Sequence, residues 1–437
     1  MFRRPGWHKM FLVFVTAVIG FVLYKAASDK LDVTQNDNVG QKDFITNRNG
    51  PKYRFSNMAG NRKSSSVNLT PFDSESVPFT NQQKFPSDRA YYPKQPALTL
   101  SHQSDTNLSL ADERPLKVII VTQIRSGSSF TGELFNSNDD FMYIFEPLYD
   151  FRKQIERLDE TKKNIRKFIE TTLRDLLKCK FKNMSSNWRN WNRAVGPIHQ
   201  CAMSKAIQSS SLCKFNEKEK QHRPVPDTLL RDISIVSLLE KVCTSKNYVA
   251  IKTIRVADIN DLKNLISDSS MNIKLIHLVR DPRGLHNSRK AVCKSNWLDC
   301  KMPISCKKLQ HNIQFWLDTP EWLKGKYLLV RYEDLAIYPH QFSEQIYKFL
   351  NIPIPNSVSN WLLDNTKHSH GNPYSHTRDS QLVATKWRIQ LDMSEVQHVQ
   401  HHCGAVMEQL GYKNVNSYEA LRNSSYSVLE PLNTTTN

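Results

Sequence analysis

The chain has 437 residues, with 60 Lys plus Arg against 42 Asp plus Glu, for a formal charge of +18. Hydrophobic residues make up 39%, low for one compact fold, which implies a polar, unpacked region beside a packed core. The 20 Phe, 15 Tyr and 8 Trp exclude a wholly disordered chain, and a single strongly apolar stretch excludes a multi-span membrane protein. The charge suits polyanionic partners: nucleic acid, anionic lipid, acidic polysaccharide or phosphorylated ligands. A merely solvated basic surface is the alternative.

The apolar stretch runs from Met10 to Tyr24, behind Arg3, Arg4 and Lys9 and ahead of Lys25. It is short for a span, but Lys25 can snorkel to the interface. Positive charge before the span keeps the N-terminus cytoplasmic and the rest lumenal. Residues 1–9 thus read as a cytoplasmic tail and 10–27 as a transmembrane signal anchor. A signal peptide cut near Ala26-Ala27-Ser28 is the rival. In a lumen, the sequons at Asn68, Asn107, Asn183, Asn423 and Asn433 become usable, and genomic nucleic acid drops out as a partner. Cys179, Cys201, Cys213, Cys243, Cys293, Cys300, Cys306 and Cys403 all follow the span, and their even number favours disulfides. Proximity pairs Cys293 with Cys300 or Cys306. No C-x-x-C pair speaks for zinc, and no metal is expected.

Residues 28–114 lack sustained periodicity and are rich in Asn, Ser, Gln, Lys and Pro, as expected of a flexible lumenal stem. Residues 115–412 form the catalytic domain, and 413–437 a C-terminal tail. Buried strands are predicted at Lys117–Thr122, Phe141–Phe145, Tyr248–Ile254, Ile273–Val279 and Tyr327–Tyr332. Helices are predicted at Phe151–Lys178, Ala257–Ile266, Pro282–Val292, Leu309–Leu317 and Pro339–Leu350. Strands alternating with helices define an α/β fold, a central parallel sheet flanked by helices, whose ligands bind at the carboxyl ends of strands.

Two strand ends carry anion chemistry. After the first strand come Arg125, Ser126, Gly127, Ser128, Ser129, Phe130 and Thr131, then a helical pattern. Gly127 admits an anion to the backbone, the serines donate hydroxyls, and the helix start offers free amides. The Walker lysine is missing, which counts against a kinase or ATPase. The alternative is an ordinary strand–helix turn. The later segment is Arg280, Asp281, Pro282, Arg283, Gly284, Leu285, His286, Asn287 and Ser288, followed by Arg289. Asp281 is a good N-cap and Pro282 a good first helical residue. Arg280, Arg283 and Arg289 crowd the strand end and suit a dianion, unless Arg283 and Arg289 pair with surface carboxylates.

With FEPLY at 145–149, these motifs resemble the Golgi carbohydrate 6-O-sulfotransferases, the group acting on galactose, N-acetylgalactosamine or N-acetylglucosamine. The keratan sulfate and chondroitin branches are the nearest look-alikes. The likeness continues through Ile251–Arg255, Trp322–Tyr327, Leu329–Asp334, Lys386–Arg388 and Gln409–Tyr412. It implies a P-loop-like sulfotransferase fold and 3′-phosphoadenosine 5′-phosphosulfate (PAPS) as donor. Arg125–Thr131 would grip the 5′-phosphosulfate. Arg280–Ser288 would hold the 3′-phosphate, chiefly through Arg280 and Ser288. It also implies a single-pass Golgi enzyme acting on an acidic glycan or glycosaminoglycan; a homo-oligomer stays open. Gln123-Ile124, Thr131, His277 and His286-Asn287 depart from the usual pattern without removing an anion-binding group. Residues 179–226 match poorly and are a place for acceptor loops.

Transfer of a sulfuryl group to a sugar 6-hydroxyl needs a base and stabilisation of the leaving oxygen. Arg125 suits the second task. Glu146 is the candidate base, with a structural pairing to Arg125 as the alternative; His286 is a weaker candidate. Lys252 and Arg255 line the cleft or pair with Asp258 or Asp261. Lys386-Trp-Arg388 stacks on a ligand or is plain core. A Golgi glycosyltransferase shares the anchor-and-stem layout, but its Asp-x-Asp motif is missing.

Overall fold

The computed structural model describes residues 114–149, 162–183, 197–225, 235–293, 300–366 and 380–432. The predicted anchor and stem lie outside the described residues, as do positions 151–161 of the predicted long helix. Among the described residues no helix is long and apolar enough to cross a membrane.

Five parallel strands form the central sheet: β1 (Leu116–Thr122), β2 (Phe141–Phe145), β5 (Tyr248–Thr253), β6 (Asn272–Val279) and β7 (Tyr327–Arg331). Their order is β2-β5-β1-β6-β7. A separate antiparallel hairpin joins β3 (Cys213–Asn216) to β4 (Gln221–Pro224). The strands of the large sheet are continuous apolar runs because both faces are covered. Ile119, Val121 and Ile144 pack with Leu173 and Leu176 of helix α2 (Lys162–Leu177) on one face. Val118 and Ile120 pack with Leu134 and Phe135 of α1 (Ser128–Asn136) on the other.

The remaining helices used below are α3 (Pro197–Met203), α4 (Pro282–Lys290), α5 (Met302–Asp318), α6 (Tyr332–Ile337), α7 (Pro339–Phe349), α8 (Met393–Gln409) and α9 (Tyr418–Arg422). Two departures from the sequence reading are instructive. The helix expected over 257–266 is a 3-10 turn, Ile259–Leu262, running into one α-turn, with Asp258 accepting from the Asn260 amide. The tail expected from residue 413 is packed structure as far as residue 432. Val415, Leu421, Val428 and Leu429 are buried, Tyr412 bridges Leu429, and Arg388 donates to the carbonyls of Ala420, Leu421 and Tyr426.

All eight cysteines are paired: Cys179–Cys243, Cys201–Cys213, Cys293–Cys300 and Cys306–Cys403. Of the two partners open to Cys293, Cys300 is the one observed. Cys306 instead ties α5 to α8.

Candidate active site

β1 and β6 are neighbours, with Thr122 opposite Leu278, so the two anion loops leave the same sheet edge side by side. The first loop is a tight turn. Arg125 and Gly127 take left-handed φ values of 70° and 88°. A Cβ on Gly127 would lie 2.1 Å from the Tyr332 ring, so glycine is required there on two counts. Ser126 is buried and donates its hydroxyl to the Gln123 carbonyl at 2.9 Å, closing the turn rather than facing a ligand. Helix α1 then begins at Ser128, and its first-turn amides have no intrahelical acceptor. Half-buried Phe130 packs on Trp361, while Thr131 is buried, its amide bonded to the Gly127 carbonyl.

Direct bonds join the loops. Arg280 donates to the Arg125 carbonyl at 2.9 Å and to the Val383 carbonyl at 3.0 Å, and its guanidinium sits 4.6 Å from the centroid of the Tyr332 ring. Arg125 donates from Nε to Ser288 Oγ at 3.0 Å. The buried Nε of Arg280 has no hydrogen-bond partner among the described residues. An unspent buried donor and helix-start amides together fit a bound dianion.

The rest of the second segment is scaffold. Arg283 is fully buried; it is spent on Asp281, on Gln400 and on the Lys413 carbonyl, with Trp387 4.2 Å away. It therefore cannot hold phosphate, and its partner is a buried carboxylate rather than a surface one. Arg289 is likewise used on the Ile124 carbonyl and Ser305. Asp281 caps α4 by accepting from the Arg283 amide, and Pro282, Gly284 and Leu285 are buried. Asn287 donates to Gln390. His286 faces Glu395 at 3.5 Å, and burial lowers its pKa. Trp387 is buried and Arg388 is absorbed by C-terminal carbonyls, so these two are core, while Lys386 is exposed.

On the other side of β1, the ends of β5 and β2 carry an ion pair. Lys252 Nζ lies 2.5 Å from Glu146 Oε1 and 3.9 Å from the Phe145 ring centroid. Glu146 takes a left-handed φ of 39°, and its amide donates to the Lys252 carbonyl at 2.8 Å. Lys252 is thus a partner of Glu146. Of the carboxylates weighed as partners for Lys252 and Arg255, Asp258 meets His311 and Asp261 meets Arg166. Burial pulls the Lys252 pKa down, and the Glu146 charge opposes this. Arg255 lies 5.6 Å from the Tyr149 ring centroid. His277 is buried beside the Tyr327 hydroxyl, and burial lowers its pKa to about 3, so the ring is neutral.

Sequence reasoning missed two supporting residues. Glu333 accepts from the Asp281 amide at 3.1 Å and from the Tyr412 hydroxyl at 2.7 Å. Burial, then the Asp281 charge, raises its pKa to about 7. Gln200 bonds both backbone groups of Phe145, at 3.1 and 2.6 Å. Neither has a local signal, because the partners are distant in sequence.

Residues 115–411 match the family model described as the sulfotransferase domain. Carbohydrate sulfotransferase 1 of Mus musculus is 34% identical over 348 residues, covering 72% of this chain and 84% of that protein. Carbohydrate sulfotransferase 3 of Tetronarce californica is 30% identical over 361 residues, covering 77% and 81%. Among solved structures, the sulfotransferase domain from the curacin biosynthetic pathway aligns at a TM-score of 0.37 and 16% identity, over 66% of this chain and 98% of that one. The chain belongs to the sulfotransferase-domain family. It is a PAPS-dependent sulfotransferase, which displaces the kinase and glycosyltransferase readings.

Proposed function

We propose that the protein transfers sulfate to the 6-hydroxyl of galactose or N-acetylgalactosamine in a keratan- or chondroitin-type glycan, from a lumenal position in the Golgi. The names of its relatives, carbohydrate sulfotransferases 1 and 3, support a glycan acceptor. The apolar run from Met10 to Tyr24 supports the anchor. The observation that carries the donor site is the junction of the two loops through Arg280, the Arg125 carbonyl and Ser288.

When bound, PAPS supplies the sulfuryl group, with adenosine 3′,5′-bisphosphate (PAP) leaving. The first-turn amides of α1 and Arg125 hold the 5′ side, and Arg280 with Ser288 holds the 3′-phosphate. Arg125 also stabilises charge on the bridging oxygen, which needs no metal. Glu146 takes the proton of the acceptor hydroxyl, and the Lys252 ammonium orients its carboxylate.

Radiolabelled PAPS offered with galactose, N-acetylgalactosamine and N-acetylglucosamine polymers tests the reading. Label at O6 of the first two is expected. Label confined to N-acetylglucosamine overturns the acceptor, and no label on any glycan overturns the proposal.

A further inference from the structure

The carboxyl edge of the large sheet has a sidedness. In strand order it presents Glu146 (β2), Lys252 and Arg255 (β5), Arg125 (β1) and Arg280 (β6). The donor loops occupy β1 and β6, so an acceptor reaching Glu146 comes from the β2 side. Among the described residues β2 is an edge strand, and no strand there lies beside the outward backbone groups of Phe145. Gln200 fills that place: its carboxamide donates to the Phe145 carbonyl and accepts from the Phe145 amide, as a strand would. Gln200 lies on α3, and the next residue, Cys201, is bonded to Cys213 at the start of the hairpin. Helix α3 also packs on β4. The hairpin is therefore fixed, through two residues, to the strand end that carries Glu146.

What the hairpin exposes is distinctive. Its register puts Lys214 opposite Arg223 on one face and Phe215 opposite His222 on the other. Like charges directly across a two-stranded ladder destabilise it. Glu219 pairs Arg223 and Glu217 pairs Lys220. Exposed Lys214 and Lys218 have no carboxylate partner among the described residues. Phe215 is 43% exposed, its ring 5.2 Å from that of His222. Unpaired ammonium groups beside an open aromatic ring match a chain that alternates anionic groups with the apolar faces of sugar rings.

We propose that the β3–β4 hairpin is the docking surface for the acidic glycan acceptor, with Lys214 and Lys218 meeting its anionic groups and Phe215 a sugar face. It delivers the acceptor hydroxyl to the Glu146 end of the sheet. This rests on the glycan-acceptor reading above. The test uses the full-length protein and two probes, a chondroitin polymer and a neutral N-acetyllactosamine oligosaccharide, each assayed with PAPS. In the double variant Lys214→Glu, Lys218→Glu, the KM for the acidic polymer should rise about tenfold relative to that for the neutral probe. Added salt should reproduce the effect in the wild type and add little in the variant. Phe215→Ala should raise KM for both probes. Calorimetric binding of PAP establishes that each variant is folded. A KM ratio unchanged in the double variant, with wild type active, overturns the docking surface alone. A wild type that binds PAP but sulfates neither probe overturns the glycan reading and this proposal with it.

Discussion

The two halves of the sheet edge are built differently. On the β1–β6–β7 side, arginines are locked in place. Arg280, Arg283, Arg289 and Arg331 donate to backbone carbonyls or buried carboxylates. On the β2 side, one carboxamide and one disulfide hold an exposed hairpin against the sheet. A donor that never changes is served by a preorganised cradle, whose donors need no rearrangement at the moment of reaction. On the proposed reading, a polymeric acceptor is served by an open surface whose side chains can vary without disturbing the cradle. The difference also revises the meaning of the basic excess. Arg283, Arg289, Arg331 and Arg388 are structural cations inside the fold, so the loops themselves present only Arg125 and Arg280 to a ligand.

The sharpest way to break this contrast is on the donor side. Arg280→Ala removes the link between the loops along with a ligand donor, and transfer should fall about 10³-fold. Because the Arg125 and Val383 carbonyls lose their donor too, melting temperature should fall with it. Arg125→Ala should cost similar activity with less change in melting. Equal activity in either variant and wild type, with radiolabelled PAPS, removes the donor assignment.

On the β2 side, Glu146→Gln should lower turnover about 10²-fold while PAP affinity stays level. Normal turnover excludes Glu146 as the base. Gln200→Leu tests the link beneath it. The change removes both bonds between Gln200 and the Phe145 backbone, which should cost about 2 kcal/mol in chemical denaturation. Turnover should fall more than PAP affinity, because Glu146 follows Phe145 directly. A variant as stable and as active as wild type shows that β2 needs no such edge partner.

The strands were legible because burial on both faces writes an unbroken apolar run into the sequence, and KVIIVT or IKLIHLV has few other uses. The turn after the first strand was legible because a glycine followed by a helix start lies in consecutive residues. Arg283 misled, since a sequence shows its charge but not Asp281, Gln400 and Trp387 closing around it. The C-terminal segment misled for a related reason. Its apolar residues are sparse and irregularly spaced, and they become core only when Arg388 gathers four carbonyls between Ala420 and Tyr426. The Gln200 and Glu333 contacts bridge distant segments, where no periodicity reaches.

Glu333 yields the smallest effect and a signed one. Its pKa of about 7 in the fold exceeds the ordinary 4.5, so folding favours its protonated form. That contribution is fully present below pH 4.5 and is lost as pH rises through 7. Wild-type stability should therefore decline between pH 5 and pH 8 by on the order of 1–2 kcal/mol from this group. Glu333→Gln keeps an oxygen for the Asp281 amide and turns its NH2 toward the Tyr412 hydroxyl, so it should remove that slope. Every other ionisable group is common to both proteins, so the wild-type minus variant difference isolates Glu333. Because Asp281 directly follows Arg280, PAP affinity should share the same pH dependence and lose it in the variant. A difference curve flat across that range would place the Glu333 proton elsewhere and detach the Asp281 turn from it.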